Sequence, residues 1–158
     1  MIANRLEPEI YSFRSLADFA DAVSHAGETR YPVHIKLDTG MHRLGFMEEE
    51  IGRLCEVLPT LPAVKVASVF SHLNCADMPG EDAYTREQLA RYARMRAAVA
   101  ASLPYSVIRH TANSAAIERF PEARFDMCRL GLGLYGFGWE HNAGLRPVSA
   151  LKSRIVQI

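Results

Sequence analysis

The run Val33-His34-Ile35-Lys36-Leu37-Asp38-Thr39-Gly40-Met41-His42-Arg43-Leu44-Gly45-Phe46 limits the fold of this chain more than any other stretch. Val33, Ile35 and Leu37 alternate with His34, Lys36 and Asp38, the period of a strand with one apolar and one polar face. The strand breaks at Thr39-Gly40, and Arg43 then stands in a tight loop between Gly40 and Gly45. Parallel sheets are normally covered on both faces and read as nearly all apolar. A strand with His, Lys and Asp on one face is therefore either an edge strand or a barrel strand facing a functional lumen.

The rest of the chain alternates in kind. A short strand is expected over 9–13. A helix follows, capped at Ser15 with Asp18 as an imperfect capping box and burying Leu16, Phe19, Ala20 and Val23. Glu48, Glu49 and Glu50 load the first turn of a second helix, where negative charge suits the macrodipole. Ile51, Leu54, Cys55 and Leu58 form its buried face, and Pro59 and Pro62 end it. Val64 to His72 reads as a strand. Thr85 and Gln88 read as a capping box for the longest helix, whose stripe is Tyr92, Met95, Val99 and Leu103. Tyr105 to Thr111 is a strand, Asn113-Ser114 opens a short helix, and Phe125 to Tyr135 is a final barrel-type strand. Gly138 to Pro147 reads as a linker, and Ser149 to Ile158 as one more strand.

Strand–helix alternation means a parallel α/β sheet. An open doubly wound sheet is one solution, but no GxGxxG follows the first strand. The polar strand faces fit a partial (β/α)8 barrel better: about five parallel strands with four helices, plus one terminal strand. A complete barrel takes roughly 250 residues, so 158 hold only part of one.

Lys+Arg and Asp+Glu number 18 each, which leaves no electrostatic case for nucleic acid or an anionic membrane surface. No apolar run approaches the ~18 residues of a membrane helix, and charges at Arg5, Glu7, Glu9, Arg14 and Asp18 interrupt any leader-like start. Cys55, Cys75 and Cys128 lack CxxC spacing, which fits a reducing cytoplasm and reads as neither a disulfide framework nor a metal site.

The string HIKLDTGMHRLGF closely resembles the KxDTGMxRLG signature of bacterial alanine racemases, fold-type III enzymes that use pyridoxal phosphate. SHLNCAD, RHTANSAA and RLGLGLYGFG match that family in the same order and at similar spacing. The resemblance runs from about Leu6 to the C-terminus. It implies residues 1–138 as the second half of the cofactor-binding barrel and 139–158 as a linker with the first strand of a truncated C-terminal β domain.

Several residues acquire roles through this resemblance, each beside a plainer reading. Lys36 would be a lysine snorkelling from a strand end. The resemblance makes it the family's often carbamylated lysine, which positions an arginine, here Arg43, on the substrate carboxylate side. His72 would be structural, and the resemblance packs it beside the pyridine ring. Ser114 is suited to helix capping, and free N–H groups there also suit phosphate. The resemblance assigns the cofactor phosphate to Asn113, Ser114 and the main chain at Gly131 and Leu132. Arg129 would face the pyridine nitrogen with His110 hydrogen-bonded behind it. An always-charged arginine does not readily protonate that nitrogen, which keeps the ring a weaker electron sink and suits racemisation.

Two family elements have no match in this sequence. The lysine that carries the cofactor would precede residue 1, and the catalytic tyrosine belongs to the C-terminal β domain. The expectation is thus a fragment of a cytoplasmic alanine racemase, inactive alone, whose complete form interconverts L- and D-alanine for peptidoglycan. A non-catalytic half-barrel, or a racemase of serine or broader amino acids, are the alternatives. Unpaired sheet edges template association, so a homodimer or larger is expected, with 9–13 or 125–135 in the contact.

Overall fold

The computed structural model describes residues 1–139 and 144–157. Four parallel strands lie in chain order, β1 (Glu9–Ile10), β2 (Tyr31–Lys36), β3 (Val64–Phe70) and β4 (Ile108–His110). Helices α1 (Phe13–His25), α2 (Ile51–Val57) and α3 (Asp82–Ala101) connect them, and α4 (Ser114–Arg119) follows β4. The fold is α/β, an arc of a (β/α)8 barrel.

Helix α1 begins earlier than the sequence suggests. Ser12 is the cap, exchanging hydrogen bonds with Ser15, because Tyr11-Ser12 has already left the two-residue strand. Leu16, Ala20 and Val23 then bury one stripe. The triplet Glu48–Glu50 forms a 3-10 turn ahead of α2 rather than its first α-turn, with Glu50 reaching back to the Met47 N–H. Leu16 and Val23, Leu54 of α2, and Tyr92 and Val99 of α3 pack with Val33, Ile35, Val66 and Val69 of the sheet into the main core.

Thr85 and Gln88 are not a capping box. A 3-10 turn at Pro79–Glu81 starts α3 at Asp82, which carries both residues into the helix and buries them. Gln88 instead bonds the His72 carbonyl and the Asn74 N–H, tying α3 to the loop after β3.

A one-residue bulge in β3 decides what reaches the inner face. Val33 pairs with Val66, but His34 pairs with Ser68, so Ala67 is extra. Val64 and Val66 face the core before it and Val69 after it, while Ser68 and Phe70 turn inward with His34 and Lys36.

The loop after β2 is closed on itself. Phe46 N–H donates to Lys36 O (2.9 Å) and Asp38 N–H to Phe46 O (2.9 Å). Asp38 is buried in this loop, its Oδ1 accepting from the Gly40 and His42 N–H groups, and does not share the inner face with Lys36. Gly45 has φ +129°, and a Cβ there would lie 2.5 Å from the Asp38 nitrogen, so only glycine fits.

The expected fifth strand over Phe125–Tyr135 does not form. Single bonds follow the β4 edge, Asp126 N–H to Arg109 O (3.1 Å) and Arg129 N–H to Ala112 O (2.9 Å). The Gly131 and Gly133 N–H groups then go to Ser114 Oγ, and Leu132–Tyr135 winds into a 3-10 turn. The donors a ladder needs are spent locally. Arg109 grips Asp126 through two side-chain bonds of 2.7 Å, which pull that carboxyl down to about 2. Residues 149–157 form no strand either, with Leu151, Ile155 and Val156 exposed. Of the expected linker, 140–143 lie outside the described residues, as does Ile158 of the expected last strand. No helix among the described residues is long and apolar enough to cross a membrane.

Candidate functional site

Two cavities adjoin at the C-terminal ends of the strands. The first, about 350 Å³, is lined by Lys36, Arg43, Phe70, His72, His110 and Arg129 among others. The second, about 460 Å³, is lined by His72, Asn113, Ser114, Arg129, Gly131 and Leu132 among others. His72 and Arg129 belong to both. All nine residues singled out from the sequence therefore line one continuous region, although they come from four separate stretches of chain.

Arg129 is the centre of this region. Its Nη1 donates to His110 Nδ1 (2.6 Å) and its Nη2 to Ser71 O (2.8 Å), His72 Nδ1 (3.2 Å) and Thr111 O (3.3 Å). A guanidinium has no acceptor, so both imidazoles must present bare Nδ1 lone pairs and stand neutral. Burial, then the Arg129 charge, pushes His110 down to about 4. The same two causes, with Lys36 and Arg43 adding, bring His72 to about 4. Burial also lowers Arg129 from its high ordinary value. Phe70 supplies the floor, stacked on His110 (4.7 Å between centroids, 12°) with Arg129 lying 5.1 Å from the ring centre.

Lys36 is 5% exposed, and its Nζ lies 3.5 Å from Glu9 Oε1 of β1. Its ion-pair partner is thus Glu9. Arg43 is carried out to the cavity rim by the closed loop and is exposed. Thr39 in that loop is anchored to Ser71 Oγ (2.7 Å), and Arg91 and Tyr84 of α3 clasp the Thr39 and Gly40 carbonyls.

Asn113 is the α4 cap. Its Oδ1 accepts from Ala116 N–H (3.0 Å) and its Nδ2 donates to Leu73 O (2.9 Å), so both ends of its amide serve the fold. Ser114 is different. Its Oγ accepts from Gly131 N–H (2.9 Å) and Gly133 N–H (3.1 Å), which occupies both lone pairs and leaves its hydrogen to donate into the cavity. A Cβ on Gly133 would stand 3.4 Å from that hydroxyl and 3.3 Å from Leu130, crowding the wall.

Sequence reasoning missed Glu9, Ser68 and Phe70. Glu9 lay in the first expected strand, but nothing local marks its pairing with Lys36. Ser68 and Phe70 lay in the third, where one bulge reverses which alternate residues face inward.

The chain matches a family model described as alanine racemase, N-terminal domain, over residues 1–138. It is 43% identical over 127 residues to an alanine racemase of Symbiobacterium thermophilum, covering 78% of this chain and 33% of that protein. An alanine racemase of Desulfovibrio desulfuricans is 36% identical, covering 100% of this chain and 43% of that protein. Among solved structures, alanine racemase from Streptomyces coelicolor superposes with TM-score 0.84 at 30% identity, covering 91% of this chain and 40% of that one. The enzyme from Bartonella henselae, described with covalently bound pyridoxal phosphate, gives 0.73 at 27%, covering 94% and 41%. The chain spans about two fifths of the length of such relatives.

Proposed function

Because the chain belongs to the alanine racemase family, matched through that family's N-terminal domain, we propose that its two adjoining cavities hold pyridoxal 5'-phosphate. Residues 1–138 then form the second half of the cofactor-binding barrel, and 139–158 lead towards a C-terminal β domain. The observation that carries this reading is Arg129, a buried cation fixed by His110 and His72 where the two cavities meet, with the Ser114 hydroxyl beyond it.

The donor set fits the group. The second cavity offers a free hydroxyl hydrogen at Ser114 and a side-chain-free wall at Gly131 and Gly133, both suited to an anionic oxygen. Asn113 supports this wall as the helix cap, and Leu132 contributes main chain. When bound, the cofactor draws electrons from the α-carbon of an amino acid so that its proton can leave and return on either face. Arg129 would donate toward the ring nitrogen and withhold a full proton from it, because its own basicity greatly exceeds that of a pyridine. His72, held with Nδ1 as acceptor, would pack beside the ring as a neutral group. Arg43 at the rim receives the substrate carboxylate. Lys36 positions Arg43, with Glu9 as the counter-ion of its ammonium form and carbamylation as the form that would add negative charge there.

In the complete enzyme the substrate pair is L- and D-alanine, the setting is the cytoplasm, the product serves peptidoglycan, and the assembly is a homodimer. By the resemblance, the lysine and tyrosine that would move the proton belong to parts of the family that the motifs of this chain do not include. The chain alone is accordingly expected to bind the cofactor weakly and not to racemise alanine.

Binding followed by the cofactor's absorbance tests this. Ser114→Ala should weaken pyridoxal phosphate by on the order of tenfold more than pyridoxal, which lacks phosphate and senses only the loosened Gly131–Gly133 wall. Equal loss for both ligands, or for neither, contradicts the assignment.

A further inference from the structure

A row of polar side chains crosses the inner face of the sheet, one from each strand region in turn. Glu7 Oε2 lies 2.9 Å from His34 Nε2, His34 Nδ1 lies 2.6 Å from Ser68 Oγ, and Ser68 Oγ lies 3.0 Å from His110 Nε2. His110 Nδ1 meets Arg129 Nη1 at 2.6 Å. We propose that Glu7, His34 and Ser68 are positioning residues for Arg129, joined to it through His110 by hydrogen bonds that all run in one direction.

The direction follows from the arginine end. A guanidinium only donates, so His110 Nδ1 accepts and the ring's one hydrogen sits on Nε2. That hydrogen points at Ser68 Oγ, which therefore accepts and has its own hydrogen left for His34 Nδ1. His34 then carries its hydrogen on Nε2 and donates it to the Glu7 carboxylate. Ser68 is fully buried, and among the described residues its hydroxyl contacts only these two nitrogens. A second donor at His34 Nδ1 would leave the serine hydrogen without an acceptor. The charged groups around the row are Glu9, Lys36, Arg43 and Arg129, with His72 beside them.

The consequence is a held ring. Phe70 stacks on one face of His110 and fixes the plane of the ring, but a half-turn about Cβ–Cγ would keep that stack, whereas the bond to Ser68 holds one of the two orientations, and the ring in turn fixes where the Arg129 fork aims. The role of this fork toward a cofactor rests on the reading above. The row itself does not.

The test is solvent exchange of the Arg129 side-chain N–H groups, measured by nitrogen-15 NMR on the full chain without cofactor. Ser68→Ala should accelerate it on the order of tenfold, the equivalent of about one net hydrogen bond, and Ser68→Thr should restore it. Glu7→Gln keeps an acceptor oxygen and should leave exchange unchanged, whereas Glu7→Leu should raise it. Glu7 is exposed, so this pair remains available if Ser68→Ala fails to fold. Unchanged exchange in Ser68→Ala with intact β3 amide signals overturns the proposal. So does Glu7→Gln acting as strongly as Glu7→Leu, which would make His34 a cation held by charge. Pyridoxal phosphate is added in a separate titration. A pinned Arg129 without cofactor binding removes the cofactor reading alone, and binding with Arg129 unaffected by Ser68→Ala removes this one alone.

Discussion

The loop after β2 and the segment after α4 both deliver an arginine to the same place, but they are built in opposite ways. Residues 37–46 close on themselves through backbone bonds, bury Phe46 and Leu37 completely, and are clasped by α3. Residues 125–137 expose Leu130, Leu132, Leu134 and Tyr135, and are held by a few side chains: Asp126 on Arg109, Ser114 on two N–H groups, and Arg129 on His110. A site can therefore be framed by one rigid wall and one that depends on the polar groups of the site itself. Only the first should contribute much to global stability through apolar burial.

The largest effect that could break this comparison is a truncation on each side. Phe46→Ala removes a fully buried ring packed edge-on against Phe13 (5.1 Å) and should cost about 3–5 kcal/mol in denaturant unfolding. Leu132→Ala, at a side chain 67% exposed, should stay within about 0.5 kcal/mol. Comparable losses would mean both walls are core.

Acid should loosen the second wall. An unfolded histidine takes its proton near 6.5, whereas folded His110 does so only near 4. Between these values the unfolded state binds more protons at this group, so the stability His110 contributes is flat above about pH 6.5 and falls as pH drops toward 4. His110 alone accounts for roughly 3 kcal/mol across that window. His72 is depressed to about the same value, so His110→Asn should remove about half of the slope in pH-dependent denaturation, and an unaltered slope would assign it elsewhere.

The smallest contrast is between two glycines. Gly45→Ala forces a Cβ into the Asp38 backbone at positive φ and should cost roughly 2 kcal/mol or more. Gly133→Ala should cost under about 1 kcal/mol in stability while crowding the Ser114 hydroxyl. Thermal melts of the two variants rank them.

The same division governs what was legible in the sequence. The α/β class, the first three strands and the closed loop follow from local alternation and from Asp38, Gly40 and Gly45 acting within ten residues of one another. The nine residues that line the two cavities stood out because they sit in motifs, not because their spacing alone marks chemistry. What failed was non-local. Gly131 and Gly133 read as strand residues until Ser114, a distant side chain, takes their N–H groups. Gln88 read as a cap because nothing local says that a turn at Pro79–Glu81 has already started α3. The Ala67 bulge, visible only in the pairing with β2, hid Ser68 and Phe70.

The central claim is that Arg129 and Ser114 face one ligand, and residue-resolved amide shifts during a titration with pyridoxal phosphate test it most directly. The account predicts saturable shifts at Ser114, Gly131 and Leu132, accompanied by His72 and the Arg129 side chain. Shifts confined to the exposed lysines, Lys65 and Lys152, would mean that the aldehyde merely reacts with surface amines, and would contradict it.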